Sequence, residues 1–339
     1  MFPKSLQSRR KFLEKLFSAF AVLGLLPLTG SCQKDSIEEK ILPLRPLGKT
    51  GHMVSIFSLG AQGTIEVPGK ESLSIDIINR SIDLGVNYID TSPSYGRETA
   101  TVSRGDAMGT SEKNLGQVMK SRRKEVFLAS KTSDRTYDGS MRLLETSLKN
   151  LQTDHLDLWQ IHDVRYSELS DLDSFFANDG VIKAMEKAKD EKMVNFLGFT
   201  GHESPEVLNS MANRYPFDVV LVAINAADKH HNSFIENFLP TVVEKNMGII
   251  GMKIPARDRI FNNGGIITMK EAMDYVLSLP VSTIIVGLDK ISELEENIEI
   301  AKNFLALDAD MMLAIEEKVK PYYKELLFFK NISTWPEEY

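Results

Sequence analysis

The 339-residue chain has a single cysteine, Cys32, and only six histidines. One thiol excludes an intrachain disulfide framework and any zinc site built on cysteines. No cluster with metal-ligand spacing and no pair of catalytic carboxylates stands out, which argues against a metal-dependent or glycosidase-type hydrolase. Positive charge is in deficit, 40 Lys and Arg against 47 Asp and Glu, for a net −7. Nucleic acid is therefore not an expected partner, because a phosphate-binding surface is basic. No Gly-rich G-x-G-x-x-G fingerprint sits on a strand-to-helix turn. The apolar run Leu16–Leu28 has about thirteen residues, too few to cross the ~30 Å hydrocarbon core of a bilayer as a helix.

That short run takes its meaning from its flanks. Lys4, Arg9, Arg10, Lys11 and Lys15 surround its start, the pattern of a secretory signal. Ser8-Arg9-Arg10-Lys11-Phe12-Leu13 closely matches the twin-arginine motif, which is read by export machinery that carries prefolded cargo. Leu28-Thr29-Gly30-Ser31-Cys32 resembles a loose bacterial lipobox. Residues 1–32 are thus expected to be a signal peptide, with Cys32 lipidated as the mature N-terminus. The expected location is exported, periplasmic or on the cell envelope, held to the membrane by a lipid anchor. An ordinary cleaved signal is the alternative. Residues 33–43 are polar and charged, as in a tether.

About 300 residues remain for one folded body, residues 44–339, a size typical of a single α/β barrel. Strands are predicted at Ile56–Ala61, Val86–Thr91, Val126–Thr132, Leu156–His162, Phe196–Thr200, Val219–Asn225, Gly248–Ile254 and Thr283–Gly287. They are almost continuously apolar, as strands buried on both faces must be. Amphipathic helical patterns alternate with them: Ser140–Leu151, Val181–Lys192, Pro205–Arg214, Asn232–Lys245 and Ile291–Phe304. Eight strand–helix units in series predict a closed (β/α)8 TIM barrel of the α/β class. Two additions are expected: an N-terminal hairpin turned at Lys49-Thr50-Gly51, and an extra C-terminal helix over Asp308–Leu326.

Active sites of such barrels lie where the strands end. The second strand runs into Asp90-Thr91-Ser92-Pro93-Ser94-Tyr95, the third ends in Ser130-Lys131-Thr132, and the fourth in Gln160-Ile161-His162-Asp163. Singly, each polar residue admits a structural role: a loop cap, a packed phenol, a snorkelling lysine, a satisfied rim histidine. Together, carboxylate, phenol, ammonium and imidazole on three neighbouring strands suit the protonation of a carbonyl oxygen as hydride reaches its carbon. Lys131 is expected to lower the pKa of Tyr95, with Asp90 holding Lys131 charged. A neutral His162 would orient the substrate oxygen.

With Arg45-Pro46-Leu47-Gly48-Lys49-Thr50-Gly51, Asn87-Tyr88-Ile89-Asp90, Tyr95-Gly96, Ala129-Ser130-Lys131 and Leu156-Asp157-Leu158-Trp159-Gln160-Ile161-His162 in view, residues 44 to 305 resemble the aldo-keto reductases. The resemblance implies a catalytic tetrad of Asp90, Tyr95, Lys131 and His162. It implies NADP- or NAD-dependent interconversion of a small aldehyde or ketone and its alcohol, with Tyr95 as general acid and base. It further implies that Gly287 and Leu288 face the cofactor phosphates and that Glu296 and Asn297 contact its adenine. Asp289, Lys290 and Glu293 belong to the same segment, Asp289 and Lys290 near the ribose with opposed preferences for a 2′-phosphate. Thr200, Asn225, Met252 and Lys253 are the remaining expected cofactor contacts.

Three positions depart from the family pattern. Thr200-Gly201-His202 stands where a Ser-Asn pair is common, Leu221 where a glutamine is common, and Met252-Lys253 where an aromatic often stacks on the nicotinamide. These departures leave open an alternative, a non-catalytic dinucleotide-binding barrel acting as a sensor or partner subunit. Substrate specificity is expected in the rim loops, where Phe175 and Phe176 suggest an apolar wall.

Overall fold

The computed structural model describes residues 40–262 and 264–330. The expected signal peptide with Cys32, and the tether up to residue 39, lie outside the described residues. Leu42, counted with the tether, is instead 3% exposed and packs into the core.

A short antiparallel hairpin comes first, β1 (Leu44–Pro46) against β2 (Met53–Ser55), with Arg45 opposite Val54. Eight parallel strands follow: β3 (Phe57–Gly63), β4 (Tyr88–Asp90), β5 (Phe127–Thr132), β6 (Leu156–Ile161), β7 (Val194–Gly201), β8 (Val219–Ala223), β9 (Gly248–Met252) and β10 (Thr283–Leu288). They close in sequence order, β10 pairing with β3. The (β/α)8 expectation holds, because every strand has two apolar faces to bury. In β8, Val219, Leu221 and Ala223 fill the barrel interior, while Val220 and Val222 pack outward in the shell beneath the helices. Leu221 is thus part of the interior plug.

The hairpin closes the end where the strands begin. Its Leu47 and Val54 are both 0% exposed and join the interior cluster. Gly48 sits at φ +52° so close to the start of β9 that a Cβ would strike the backbone of Gly248. Only glycine accepts both the backbone conformation and the contact.

Two predicted helices are broken by proline, which lacks an N–H and collides with the preceding turn. Asn232–Lys245 resolves into Phe234–Asn237 and Leu239–Glu244, split ahead of Pro240. The C-terminal helix is capped by Asp308, which accepts from the Met311 amide at 2.9 Å. It runs from Ala309 to Val319, tightens through Lys320–Tyr322 at Pro321, and resumes over Tyr323–Leu326. No helix among the described residues is long and apolar enough to cross a membrane.

Beyond it, Lys330 returns to the barrel wall. Its ammonium binds Asp228 Oδ1 at 2.8 Å and the Asn232 carbonyl at 2.9 Å, and lies 3.7 Å from the centre of the Phe234 ring. Both ionic side chains are 0% exposed. Asp228 Oδ2 accepts from Ser233 Oγ at 2.8 Å and the Ile235 amide at 2.9 Å, so the carboxylate is fully used. Removing one partner leaves the other charge buried without compensation. Lys330→Met is expected to lower unfolding stability by about 3 kcal/mol, and adding Asp228→Asn to restore part of the loss. Urea unfolding midpoints test this, and a single-variant change below about 0.5 kcal/mol would contradict a buried pair.

Candidate active site

The end of the barrel opposite the hairpin opens into a cavity of about 840 Å³, lined from β3, β4, β9 and β10 and from the loops after these strands and after β6 and β7. Asp90 closes β4, Lys131 lies one residue before the end of β5, and His162 follows β6. Tyr95 comes from the loop after β4. The four expected side chains meet here.

At the floor, the Lys131 ammonium is 1% exposed and paired with Asp90 Oδ1. It also donates to the Thr91 carbonyl at 2.7 Å and to the Tyr95 hydroxyl at 3.2 Å. Since the phenol oxygen accepts from the ammonium, its own proton is left for another acceptor. Burial pulls the Lys131 pKa down, but Asp90 and Tyr95 outweigh it and hold the lysine charged above its ordinary value. For Tyr95 the balance differs from expectation. Burial raises the phenol pKa more than the Lys131 charge lowers it, so the ammonium moderates an upward shift without reversing it. Tyr95 is therefore a protonated phenol at neutral pH.

His162 stands edge-on to Tyr95, ring centres 5.8 Å apart, with Nδ1 3.4 Å from Ser92 Oγ. Burial, reinforced by the Lys131 charge, drives its pKa to about 3. The ring is neutral, as expected.

One member of the network was missed. Gln160 is fully buried and donates from Nε2 to Asp90 Oδ2 at 2.9 Å, fixing the carboxylate that fixes Lys131. The signal was present: residues two apart on a strand share a face, so Gln160 points the way His162 does. Tyr88 stands in the same relation to Asp90, its hydroxyl 3.4 Å from Oδ2.

Of the expected cofactor contacts, Met252, Lys253, Gly287 and Asp289 line the cavity. Thr200 and Asn225 are 0% exposed, lie outside the cavity lining and hold loops. Thr200 Oγ1 accepts from the Asp163 amide at 3.1 Å, and Asn225 donates to the Leu326 carbonyl at 3.3 Å and accepts from the Ala227 amide at 2.9 Å. Leu288 is buried, while Lys290, Glu293, Glu296 and Asn297 lie at or on the first turns of the helix Ile291–Lys302, beyond the cavity lining. Phe175 and Phe176 are not in the wall either. Phe175 is buried under Arg135, and Arg214 lies over Phe176. The apolar wall is Phe328 and Phe329, from a segment whose distance in sequence concealed it.

A profile of the Aldo/keto reductase family matches residues 59–257. Over 336 residues the chain is 26% identical to L-galactose dehydrogenase of Arabidopsis thaliana, covering 87% of this chain and 97% of that protein. An aldo-keto reductase from Bacillus halodurans, in its holo form, shares the fold with a TM-score of 0.66 at 21% identity, over 82% of this chain and 96% of that one. An aldo-keto reductase from Klebsiella pneumoniae in complex with NADPH gives 0.66 at 18% identity, over 81% and 95%. With the barrel closed as in these structures and the profile spanning more than half of its length, the chain belongs to the aldo/keto reductase family.

Proposed function

We propose that this cavity interconverts an aldehyde or ketone and its alcohol with a nicotinamide dinucleotide, Tyr95 acting as general acid in reduction and general base in oxidation. The contact that carries this reading is the Tyr95 hydroxyl accepting at 3.2 Å from a buried, ion-paired Lys131. A carbonyl oxygen within reach of the phenol would receive its proton while the neighbouring ammonium stabilises the tyrosinate left behind. Asp90, held by Gln160 and Tyr88, keeps that ammonium in place. His162, neutral, has Nε2 available to orient the same oxygen without competing for its proton.

The cavity suits such a cofactor on two grounds. The Lys253 ammonium, its pKa pushed down to about 8 by burial and then by the Arg257 charge, makes no hydrogen bond or ion pair among the described residues. An ammonium in that position, in a left-handed backbone at φ +63°, calls for an anion such as a diphosphate. Gly60, Gly63 and Gly287 line the cavity with backbone alone, so a flat ring meets no side chain at those positions. The chemistry a nicotinamide supplies when bound is hydride transfer to or from the carbinol carbon. At the mouth, Asp258 has its pKa raised by burial and then by Glu293 and Asp289, so three carboxylates gather there. Lys290 is 73% exposed and 3.8 Å from Glu293. That balance favours a ribose diol over a 2′-phosphate, hence NAD over NADP.

Three outcomes are expected. Tyr95→Phe should lower kcat and kcat/KM together by about 10³-fold or more while dinucleotide affinity stays within a few-fold, since the proton matters only in the transition state. A variant retaining most of its rate would exclude Tyr95 as the acid. In the unfolded chain a histidine titrates near 6.5 but His162 in the fold only near 3. Between these values the unfolded state binds a proton that the folded site refuses, so this residue's share of stability falls as pH drops below about 6.5. His162→Gln should flatten that part of the stability–pH curve, measured by urea unfolding at stepped pH. Asp289→Ala should improve affinity for NADP relative to NAD by about tenfold in fluorescence titrations. Equal effects on both dinucleotides would place Asp289 away from the ribose.

A further inference from the structure

A second acid–base pair faces the same cavity and the chemistry above leaves it without a task. Asp163 directly follows His162 and is twisted into the left-handed region at φ +62°. Its Oδ1 lies 2.5 Å from His202 Nδ1, and its Oδ2 lies 3.6 Å from Arg165 Nε. The pair is built rather than incidental. Asp163 N donates to Thr200 Oγ1 at 3.1 Å and Val164 N to the Thr200 carbonyl at 2.9 Å, tying the end of β6 to the end of β7, two residues before His202. Burial raises the Asp163 pKa, but the His202 hydrogen bond together with the charges of His202, His162 and Arg165 outweighs it, and the carboxylate is held below its ordinary value. An ionised Asp163 requires Nδ1–H on His202. Nε2 is then the free edge of the ring, and no hydrogen bond to it is made among the described residues. Phe329 meets the same imidazole edge-on, ring centres 6.3 Å apart, and packs on Phe328 at 5.4 Å.

A monofunctional carbonyl, held by Tyr95 and His162, would leave this fixed nitrogen facing apolar carbon, at the cost of an unmet polar group. We propose that His202, positioned by Asp163, binds a hydroxyl on a carbon adjacent to the reacting one, so that the enzyme selects polyhydroxylated carbonyls and their alcohols. This rests on the oxidoreductase reading of the cavity. Hydroxyl edges would meet the imidazole while the C–H face of the substrate lies on the Phe328–Phe329 wall.

The test compares matched probes with saturating cofactor: glyceraldehyde against propanal in reduction, galactose against cyclohexanol in oxidation. Wild type should favour the polyhydroxylated member by about 30-fold or more in kcat/KM, as a site built for a hydroxyl rejects its deoxy analogue. His202→Ala should remove most of that preference through a KM increase of about tenfold, with kcat and the propanal reaction nearly unchanged. His202→Gln, which keeps a polar edge, should recover part of it. Calorimetric titration of galactose into wild type and His202→Ala separates this inference from the reading beneath it. Galactose binding that depends on His202, in a protein that turns over none of the probes, would sink the oxidoreductase reading and leave the hydroxyl subsite standing. Equal use of glyceraldehyde and propanal by wild type, equal losses on both in His202→Ala, or galactose binding indifferent to His202 would overturn the subsite.

Discussion

Everything at the mouth of this barrel depends on a single burial, that of the Lys131 ammonium. Taking a charge of that size out of water costs several kcal/mol unless other groups replace its hydration shell. Asp90, the Thr91 carbonyl and the Tyr95 hydroxyl are those groups, and each is constrained in turn. Asp90 is oriented by Gln160 and Tyr88, and Thr91 Oγ1 is held by Ser111 Oγ at 2.8 Å. The phenol is thus part of the solvation shell of a cation. Its acidity follows from that position, since the ammonium limits the rise that burial alone would impose. Such a network fails as a unit, which is why its members come from three adjacent strands with little freedom to drift.

The cavity divides into two electrostatic halves. Around the phenol and the imidazole, charge is either neutralised or suppressed: Lys131 by Asp90, and His162 by a pKa near 3. Around Lys253 the Arg257 charge has a larger influence than either carboxylate facing it, Asp163 or Glu66. A neutral reacting group and an anionic handle on one molecule would match this division. Binding energy gathered at the charged end can then hold the reacting end without any strong contact that the transition state would have to give up.

Fold and site were unequally legible in the sequence. Strands buried on both faces read as apolar runs, so all eight were found, and β6, β8, β9 and β10 begin where expected. The six helices named from the sequence are present too, while Glu71–Asp83, Thr110–Arg122 and Met269–Leu277 are additional; Pro240 and Pro321 divide two of the six, a local steric effect that the apolar period does not register. Asp90, Tyr95, Lys131 and His162 were legible because each sits at or just past a strand end. Gln160 was passed over as one more buried strand position, although its spacing from His162 marked its direction. The sequence offers Thr200 and Asn225 as ligand contacts, and in the fold Thr200 Oγ1 and Asn225 Oδ1 accept from backbone amides of neighbouring loops. A side-chain amide or hydroxyl reads the same in sequence whether its partner is a ligand or a peptide group. Phe328 and Phe329 were invisible for another reason, because nothing local marks a residue whose partners lie across the barrel.

That last separation has a kinetic side. Gly60 and Phe329 border the same cavity from opposite ends of the described chain, and the buried Lys330–Asp228 pair fastens the chain one residue beyond Phe329. Contacts between such distant segments close slowly and late, after the local strand–helix units have formed. A barrel folded in every strand but not yet fastened at Lys330 would therefore present an open, unwalled floor. Whatever binds the finished cavity would then bind only the fastened form, drawing the population towards it by mass action.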